Sequence, residues 1–533
     1  MAAVRIRRRD LLAGAGGSTL LASCPSPRAP AAQLSARAKL EAVLGRALDA
    51  AKRAGAIYAD ARVVRRRDQR VSTREDHVVE VSDDESYGVG VRVLVLRPAG
   101  DSDSGTQAWG FAATSSVDED SAAAAARRAV EIARASLYPR KRPILLAPVA
   151  AYHDTWSTRL EVDPFGIPVS EKAELLRAIW NEARNVSGAK YMNGGSHVLG
   201  EEKLFASSEG SLLEQRVVRV EVGYSITATD TQSGEFVARA HELPPMQAGW
   251  EYIQRSSLLA DARKIAEDAV AKLKAPSVEP GKKDLVLAPS HLWLTIHESV
   301  GHSTELDRAL GYEANFAGTS FATPDKLGKL EYGGENITFF ADKTTPGGLA
   351  TCGYDDDGEK TGKWNLVEKG KLVSYQTTRD QAAWIGEKRS RGCSYAQDYA
   401  SVPFQRMPNV SLAPSDKPAS LEDLVSGVDD GVLITGDGSW SIDHQRYNFQ
   451  FGGQTFQAIK GGKLAGPLRD VAYQSNTLEF WHSCDGIGSA EHFELHGSMV
   501  DGKGEPGQSN AVSHGCAPAR FRRVNVLNTK RRT

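Results

Sequence analysis

Cysteine is scarce in this chain. Its five thiols, Cys24, Cys352, Cys393, Cys484 and Cys516, are scattered over 533 residues without a C-x-x-C pair. That spacing argues against a structural zinc site made of four thiolates. Disulfides could form after export, but a body this large needs no staples. Neither charge sign is in excess: the formal net charge of −2 gives no basic surface for nucleic acid and no acidic tail. No apolar run in the body reaches transmembrane length. No repeat of solenoid type is present. The Gly-rich piece "YGVGVR" does not lead from a strand into a helix as a nucleotide loop would. What remains is an ordinary globular composition, 41% hydrophobic and 25% charged, enough for two or more sizeable cores.

The first residues stand apart. "MAAVRIRRRDLLAGAGGSTLLASC" opens on Arg5, Arg7, Arg8 and Arg9 and continues into a short apolar stretch. It is too short and too glycine-rich to span a membrane and reads as an export signal over residues 1–24. "RRRDLL" resembles a twin-arginine signal. "LASC" resembles a lipobox, in which Cys24 is lipidated and becomes the only membrane attachment. The expectation is an exported, membrane-anchored lipoprotein. The alternative is a disordered basic tail on a cytoplasmic protein. Residues 25–35 are then a Pro/Ala tether.

Downstream, helical periodicity runs from Ser35 to Gly55, through "DEDSAAAAARRAVEIARAS", over Ser170–Asn185 and over Ser257–Lys274. Between these, "YGVGVRVLVL", "EQRVVRVEVGYSITATD" and "EFVARAHEL" alternate like strands. "KAPSVEPGKKD" is rich in Pro, Gly and Lys and marks a domain boundary. Beyond it, short strand-like pieces alternate with Gly and Asp turns. The fold class expected is α+β: an N-terminal α/β domain (36–276) of helices and antiparallel strands, then a β-rich domain (277–533) that carries the helix "HLWLTIHESVGH".

Chemistry concentrates in "TIHESVGHSTELD", residues 295–307. Ser290 is a candidate N-cap, and Leu292, Trp293, Ile296 and Val300 give the helix a buried face. The spacing H-E-x-x-x-H is one residue longer than the H-E-x-x-H of zinc peptidases. On a straight α-helix His297 and His302 would diverge by about 140°. Either a π-bulge adds the missing residue to the turn, or the helix ends at Gly301, which leaves helical torsions easily. The alternative is one buried and one surface histidine around an incidental glutamate. With a metal in place, Glu298 would be the general base beside it, and a third ligand must come from elsewhere.

"HESVGH", together with "YDDDGEKTGKWNLVEKGKLVSYQTTRDQA", "SRGCSYAQDYASVPFQRMPN" and "DGKGEPGQSNAVSHGCAPARF", resembles the TldD/PmbA family of metallopeptidases over about residues 36–530. The resemblance implies a zinc motif of this longer spacing. It also implies a β-rich catalytic second domain, and a homodimer or a heterodimer with a PmbA-like subunit around a cleft for unfolded peptides. The family's third zinc ligand is a cysteine before a G-K-G/E-x-x-G-Q stretch, and here Asp501 stands in its place. A carboxylate is a legitimate zinc ligand, though harder, and another divalent ion becomes possible. Asp501 could instead be a turn residue, with Cys516, Cys484, His492 or His496 as ligand. Tyr395, Arg406 and Asn409 match the family's cleft and are expected to bind substrate. Glu305 and Asp307 are candidates to orient His302. The expected function is a zinc-dependent peptidase acting on peptides or unfolded segments. The alternative is an inactive peptide-binding partner subunit.

Overall fold

The computed structural model describes residues 30–97, 106–138 and 144–530, with side chains from residue 37 onward. Cys24 and the export segment lie outside them.

The N-terminal half is built on a seven-stranded sheet. Its strands are β1 (Tyr58–Arg74), β2 (His77–Leu96), β3 (Gln107–Thr114), β4 (His153–Ser157), β5 (Ala189–Ser207), β6 (Leu212–Thr229) and β7 (Phe236–Ala240). They run in the order β3-β2-β1-β5-β6-β4, with β7 also on β6. All pairs are antiparallel except β4 with β6. The alternation in "YGVGVRVLVL" has a two-sided cause. Val89, Val91, Val93 and Val95 pack into a core with α1 (Pro30–Arg53) and α2 (Glu119–Ala135). The opposite face of the same strand meets the C-terminal half: a Cβ on Gly88 would stand 2.4 Å from the Tyr399 ring, and Arg92 donates to Asp357 at 2.6 Å. So β2 is buried on both faces there, with valine toward helices and glycine toward Tyr399.

A second core lies between β5, β6 and the helices α3 (Val169–Ala183), α4 (Trp250–Arg255) and α5 (Ala262–Lys274). The single helix expected over Ser257–Lys274 starts later than its periodicity suggests. Asp261 accepts from the Ser257 hydroxyl at 2.5 Å and bonds His241 at 3.1 Å, which holds the preceding residues in a turn.

In the C-terminal half, β8 (Gly281–Leu287) lies between strands Asp430–Ile442 and Ala519–Asn528. Strands Val471–Asn476 and Asn448–Lys460 continue the sheet. The last of these pairs back onto Asp430–Ile442, closing a ring of five strands. Phe449, Phe451, Tyr473, Phe480, Trp481 and Phe521 fill its neighbourhood. Two features outside the ring build the site: α6 (Pro289–Ile296), which leaves β8 directly, and the hairpin of Glu494–Lys503 with Gln508–Cys516. The segment "YDDDGEKTG" ties the halves together, because Asp356 receives Lys203 of β5 at 2.8 Å and Asp357 receives Arg92 of β2. Cys352, Cys393, Cys484 and Cys516 are free thiols. Among the described residues no helix is long and apolar enough to cross a membrane.

Candidate metal centre

The helix starts at Pro289, the position where a missing N–H costs nothing, and Ala288 is its cap residue. Ser290 therefore does not cap it. Its hydroxyl accepts from the Gly436 N–H at 3.0 Å and fastens α6 to the strand Asp430–Ile442.

The extra residue between the histidines is absorbed by a π-turn over His297–Gly301: the His302 N–H bonds the His297 carbonyl, five residues back. Carbonyls displaced by the wider turn find side-chain donors. Ser303 donates to Ser299 O at 2.7 Å, Thr304 to Val300 O at 2.8 Å and Gln376 to Gly301 O at 2.5 Å. Gly301 keeps helical torsions, φ −53°, so its conformational freedom is not what the site uses. It is needed for space: a Cβ there would come within 2.6 Å of the Met407 sulfur.

This geometry turns both imidazoles to one side, with ring centroids 4.5 Å apart. Asp501 arrives from the hairpin, and its Oδ1 lies 3.8 Å from Nε2 of His297 and 3.7 Å from Nε2 of His302. The three ligand atoms lie within 4.8 Å of one another, and all three residues are buried. Zinc bonds of about 2.0–2.1 Å in a tetrahedral arrangement place ligand atoms about 3.3 Å apart, so a small contraction would close this set on an ion.

The surroundings fix each ligand. His514 Nδ1 donates to the Val410 carbonyl at 2.8 Å, so its Nε2 is an acceptor, and it faces Nδ1 of His297 at 2.8 Å. His297 must then carry its proton on Nδ1 and present a bare Nε2 toward Asp501. Nδ1 of His302 is 3.1 Å from Glu305 and is fixed the same way. Glu305 is itself held by Arg308 at 2.7 Å and Lys503 at 3.1 Å, and Lys503 also bonds Asp307 at 2.8 Å. Burial keeps the imidazoles neutral. His297 is pushed well below its usual value, with the neighbouring His514 adding to the effect, and His302 falls to about 3. Neutral histidine is the ligand form.

Glu298 lies 4% exposed at the edge of this group, and its Oε2 receives Arg446 Nη1 at 2.6 Å. Burial pushes its carboxyl up to about 7; Arg446 opposes the rise and Asp501 adds to it. Arg446 occupies the turn after Asp430–Ile442 with φ +62°, and its other nitrogen donates to Ala317 O at 3.0 Å.

Of the residues expected to contact substrate, Arg406 and Asn409 turn inward, while Tyr395 lines a cleft. Arg406 is 1% exposed and grips Asp501 through both the carboxylate, at 3.1 Å, and the main-chain carbonyl. Asn409 is fully buried and bonds Asp342 O, Thr351, Ala350 N and Ser513 N, so it ties three other segments to its own and faces no solvent. Tyr395 is partly open, with its hydroxyl 2.9 Å from Glu201 and Lys203 over its ring at 4.2 Å. Cys516 and Cys484 are buried in the core, and His496 bonds Glu494. None of these, nor His492, joins the ligand group among the described residues. The sequence reading missed His514 and Arg446. His514 lies within "DGKGEPGQSNAVSHGCAPARF", where a histidine on a buried strand is the available signal. Arg446, in the polar turn "DHQRYN", gave none.

Three family models match the chain: "PmbA/TldA metallopeptidase domain 1" over residues 59–133, "central domain" over 162–275 and "C-terminal domain" over 280–527. A protein named "Metalloprotease" from Methanothermobacter thermautotrophicus is 28% identical over 473 residues, 89% of this chain and 96% of that one. A "Zinc metalloprotease TldD homolog" from Saccharolobus solfataricus is 22% identical over 303 residues, 55% of this chain and 62% of that one. The crystal structure of TldE from Thermococcus kodakarensis superposes with a TM-score of 0.70 at 15% identity, covering 90% of this chain and 98% of that one. At that identity it speaks to the fold alone.

Proposed function

Since the chain belongs to the PmbA/TldD metallopeptidase family, we propose that it is a metal-dependent peptidase acting on peptides or unfolded segments, with His297, His302 and Asp501 as ligands and zinc as the metal. The observation that carries this is the convergence of two bare Nε2 atoms and one carboxylate oxygen beside a buried glutamate. Bound there, zinc would supply Lewis acidity to polarise the scissile carbonyl and acidify a water. Glu298 takes the proton of the attacking water and passes it to the leaving amine. A carboxyl displaced toward neutrality suits both transfers. Arg446 engages Oε2 and leaves Oε1 for the proton. Glu305, through Nδ1 of His302, and His514, through Nδ1 of His297, hold the imidazoles in the ligating tautomer. Asp501 adds an oxygen ligand, which makes manganese or iron(II) a reasonable second occupant.

The test is metal content of the purified protein, measured beside hydrolysis of unstructured peptides with and without chelator. Bound metal with chelator-sensitive cleavage supports the proposal. Bound metal without any cleavage would make the chain a peptide-binding partner subunit instead. We further propose export and lipid attachment at Cys24, supported by the arginines at 7–9 and "LASC". Under that proposal Cys24→Ala leaves the protein in soluble extracts. Pairing as a homodimer or with a PmbA-like subunit rests on the family resemblance and is read by sedimentation.

A further inference from the structure

A groove of about 720 Å³ runs between the N-terminal sheet and the C-terminal half, lined by Trp109 of β3, by Tyr312, Glu313 and Phe316, and by Asp380 and Trp384. Two features set it apart. Its walls carry exposed aromatic surface, with Tyr312 57% and Phe316 48% exposed, and the rings of Tyr312 and Trp384 lie nearly parallel at 7° with centroids 6.0 Å apart. Its charged groups are mostly carboxylates, and the cations nearest them are already engaged. Arg92 is held by Asp60 and Asp357, and Lys503 by Glu305 and Asp307. Among the described residues neither Glu313 nor Asp380 takes part in an ion pair: the Glu313 carboxylate receives the Gly504 N–H at 3.4 Å, and Asp380 receives the Thr378 hydroxyl at 2.6 Å and the Trp109 side chain.

Hydrogen bonds tie the groove's lining to the residues around the candidate metal centre. Ala317, at the end of the loop that carries Tyr312, Glu313 and Phe316, accepts at its carbonyl from Arg308 and from Arg446, the residue that holds Glu298. Asp307, another lining residue, shares Lys503 with Glu305 behind His302. The loop that lines the groove is thus one hydrogen-bonded residue, Arg446, away from Glu298.

We propose that this groove is a specificity subsite for a cationic side chain, arginine or lysine, of the peptide substrate. The aromatic faces stack on the guanidinium or cover the alkyl stem, and Glu313 and Asp380 receive the charge. The inference rests on the peptidase reading for its substrate class, but it concerns binding and can be tested without turnover.

The probes are fluorescent unstructured decapeptides, identical except for one central Arg, Lys, Gln or Glu. Anisotropy is read on the Glu298→Gln protein, so that cleavage plays no part. The Arg and Lys peptides are expected to bind at least ten-fold tighter than the Glu peptide. Glu313→Gln with Asp380→Asn, both close in shape, should bring the four within about two-fold, and Trp384→Ala should weaken the cationic peptides most. Binding indifferent to the central residue, or a preference that survives the double substitution, overturns the proposal. So does a Trp384→Ala protein with unchanged peptide affinity and an altered sedimentation coefficient, since the groove would then seat another subunit. A parent that binds cationic peptides but never cleaves them would overturn the peptidase reading and leave the subsite standing.

Discussion

Nε2 of His514 stands 2.8 Å from Nδ1 of His297, and because His514 gives its own proton to the Val410 carbonyl, this contact decides which nitrogen His297 turns toward Asp501. His514→Phe removes the acceptor and keeps a ring parallel to Trp293. Metal affinity should fall about 10- to 100-fold, the usual worth of such an orienting partner. Competition against a chromogenic chelator reads it, and unchanged affinity would remove His514 from the site.

Glu298→Gln should hold metal as the parent does while peptide hydrolysis falls by roughly two to four orders of magnitude. Arg446→Gln acts on the same carboxyl differently. The guanidinium favours the ionised form, so its loss raises the carboxyl further, and the acidic limb of kcat/KM should move to higher pH. A limb that stays in place would detach Arg446 from the chemistry.

Asp501→Ala should lose metal and activity, and Asp501→Cys should regain metal, since thiolate is a strong zinc ligand. Cys516→Ala should keep both, because that thiol lies in the core with Pro289 O as its nearest partner. Metal content by mass spectrometry separates the three. Loss of metal in the Cys516 variant would move the ligand there.

Gly301→Ala drives a methyl against the Met407 sulfur and should cost about 1–3 kcal/mol, the range for overpacking a filled core. In a Met407→Ala background the same change should cost much less. Urea unfolding of the four proteins gives the coupling, and equal costs in both backgrounds would show that the π-turn rejects alanine for another reason.

His291 is fully buried between the Gly436 carbonyl and the Tyr473 hydroxyl, and burial lowers it to about 4. The unfolded chain, near 6.5, therefore takes up this proton first. The stability due to the neutral ring is complete above pH 6.5 and is lost between 6.5 and about 4, by at most ~3 kcal/mol. The denaturation midpoint of His291→Gln should decline less steeply over that window than the parent's.

The parts of the site written within a few residues were legible from sequence. His297, Glu298 and His302 share one turn, and their odd spacing left a π-bulge or a helix end at Gly301 as the two ways to converge, of which the chain uses the first. The alternation in β2 and the periodicity of α2 and α3 gave the mixed α+β class. What could not be read was pairing across long separations. His514 lies 217 residues from His297, and Arg446 lies 148 from Glu298. Arg406 shows the same limit from the other side. An arginine in a cleft motif invites a substrate role, and only the fold reveals that it points inward to Asp501. Ser290 followed the rule for helix caps, yet Pro289 began the helix one residue earlier.

Each of the three candidate ligand residues is anchored on its far side by protein: His297 by His514, His302 by Glu305, and Asp501 by Arg406, which also bonds the Gln508 carbonyl across the hairpin. A cage braced in this way does not depend on its ion for shape. Dialysis against a chelator should give a protein with an unaltered circular dichroism spectrum, and titrating the ion back should release heat with almost no change in heat capacity, unlike a zinc finger, where metal uptake and folding are one event. Exchange between ions would then be paced by shedding of their hydration water and not by rearrangement of the chain.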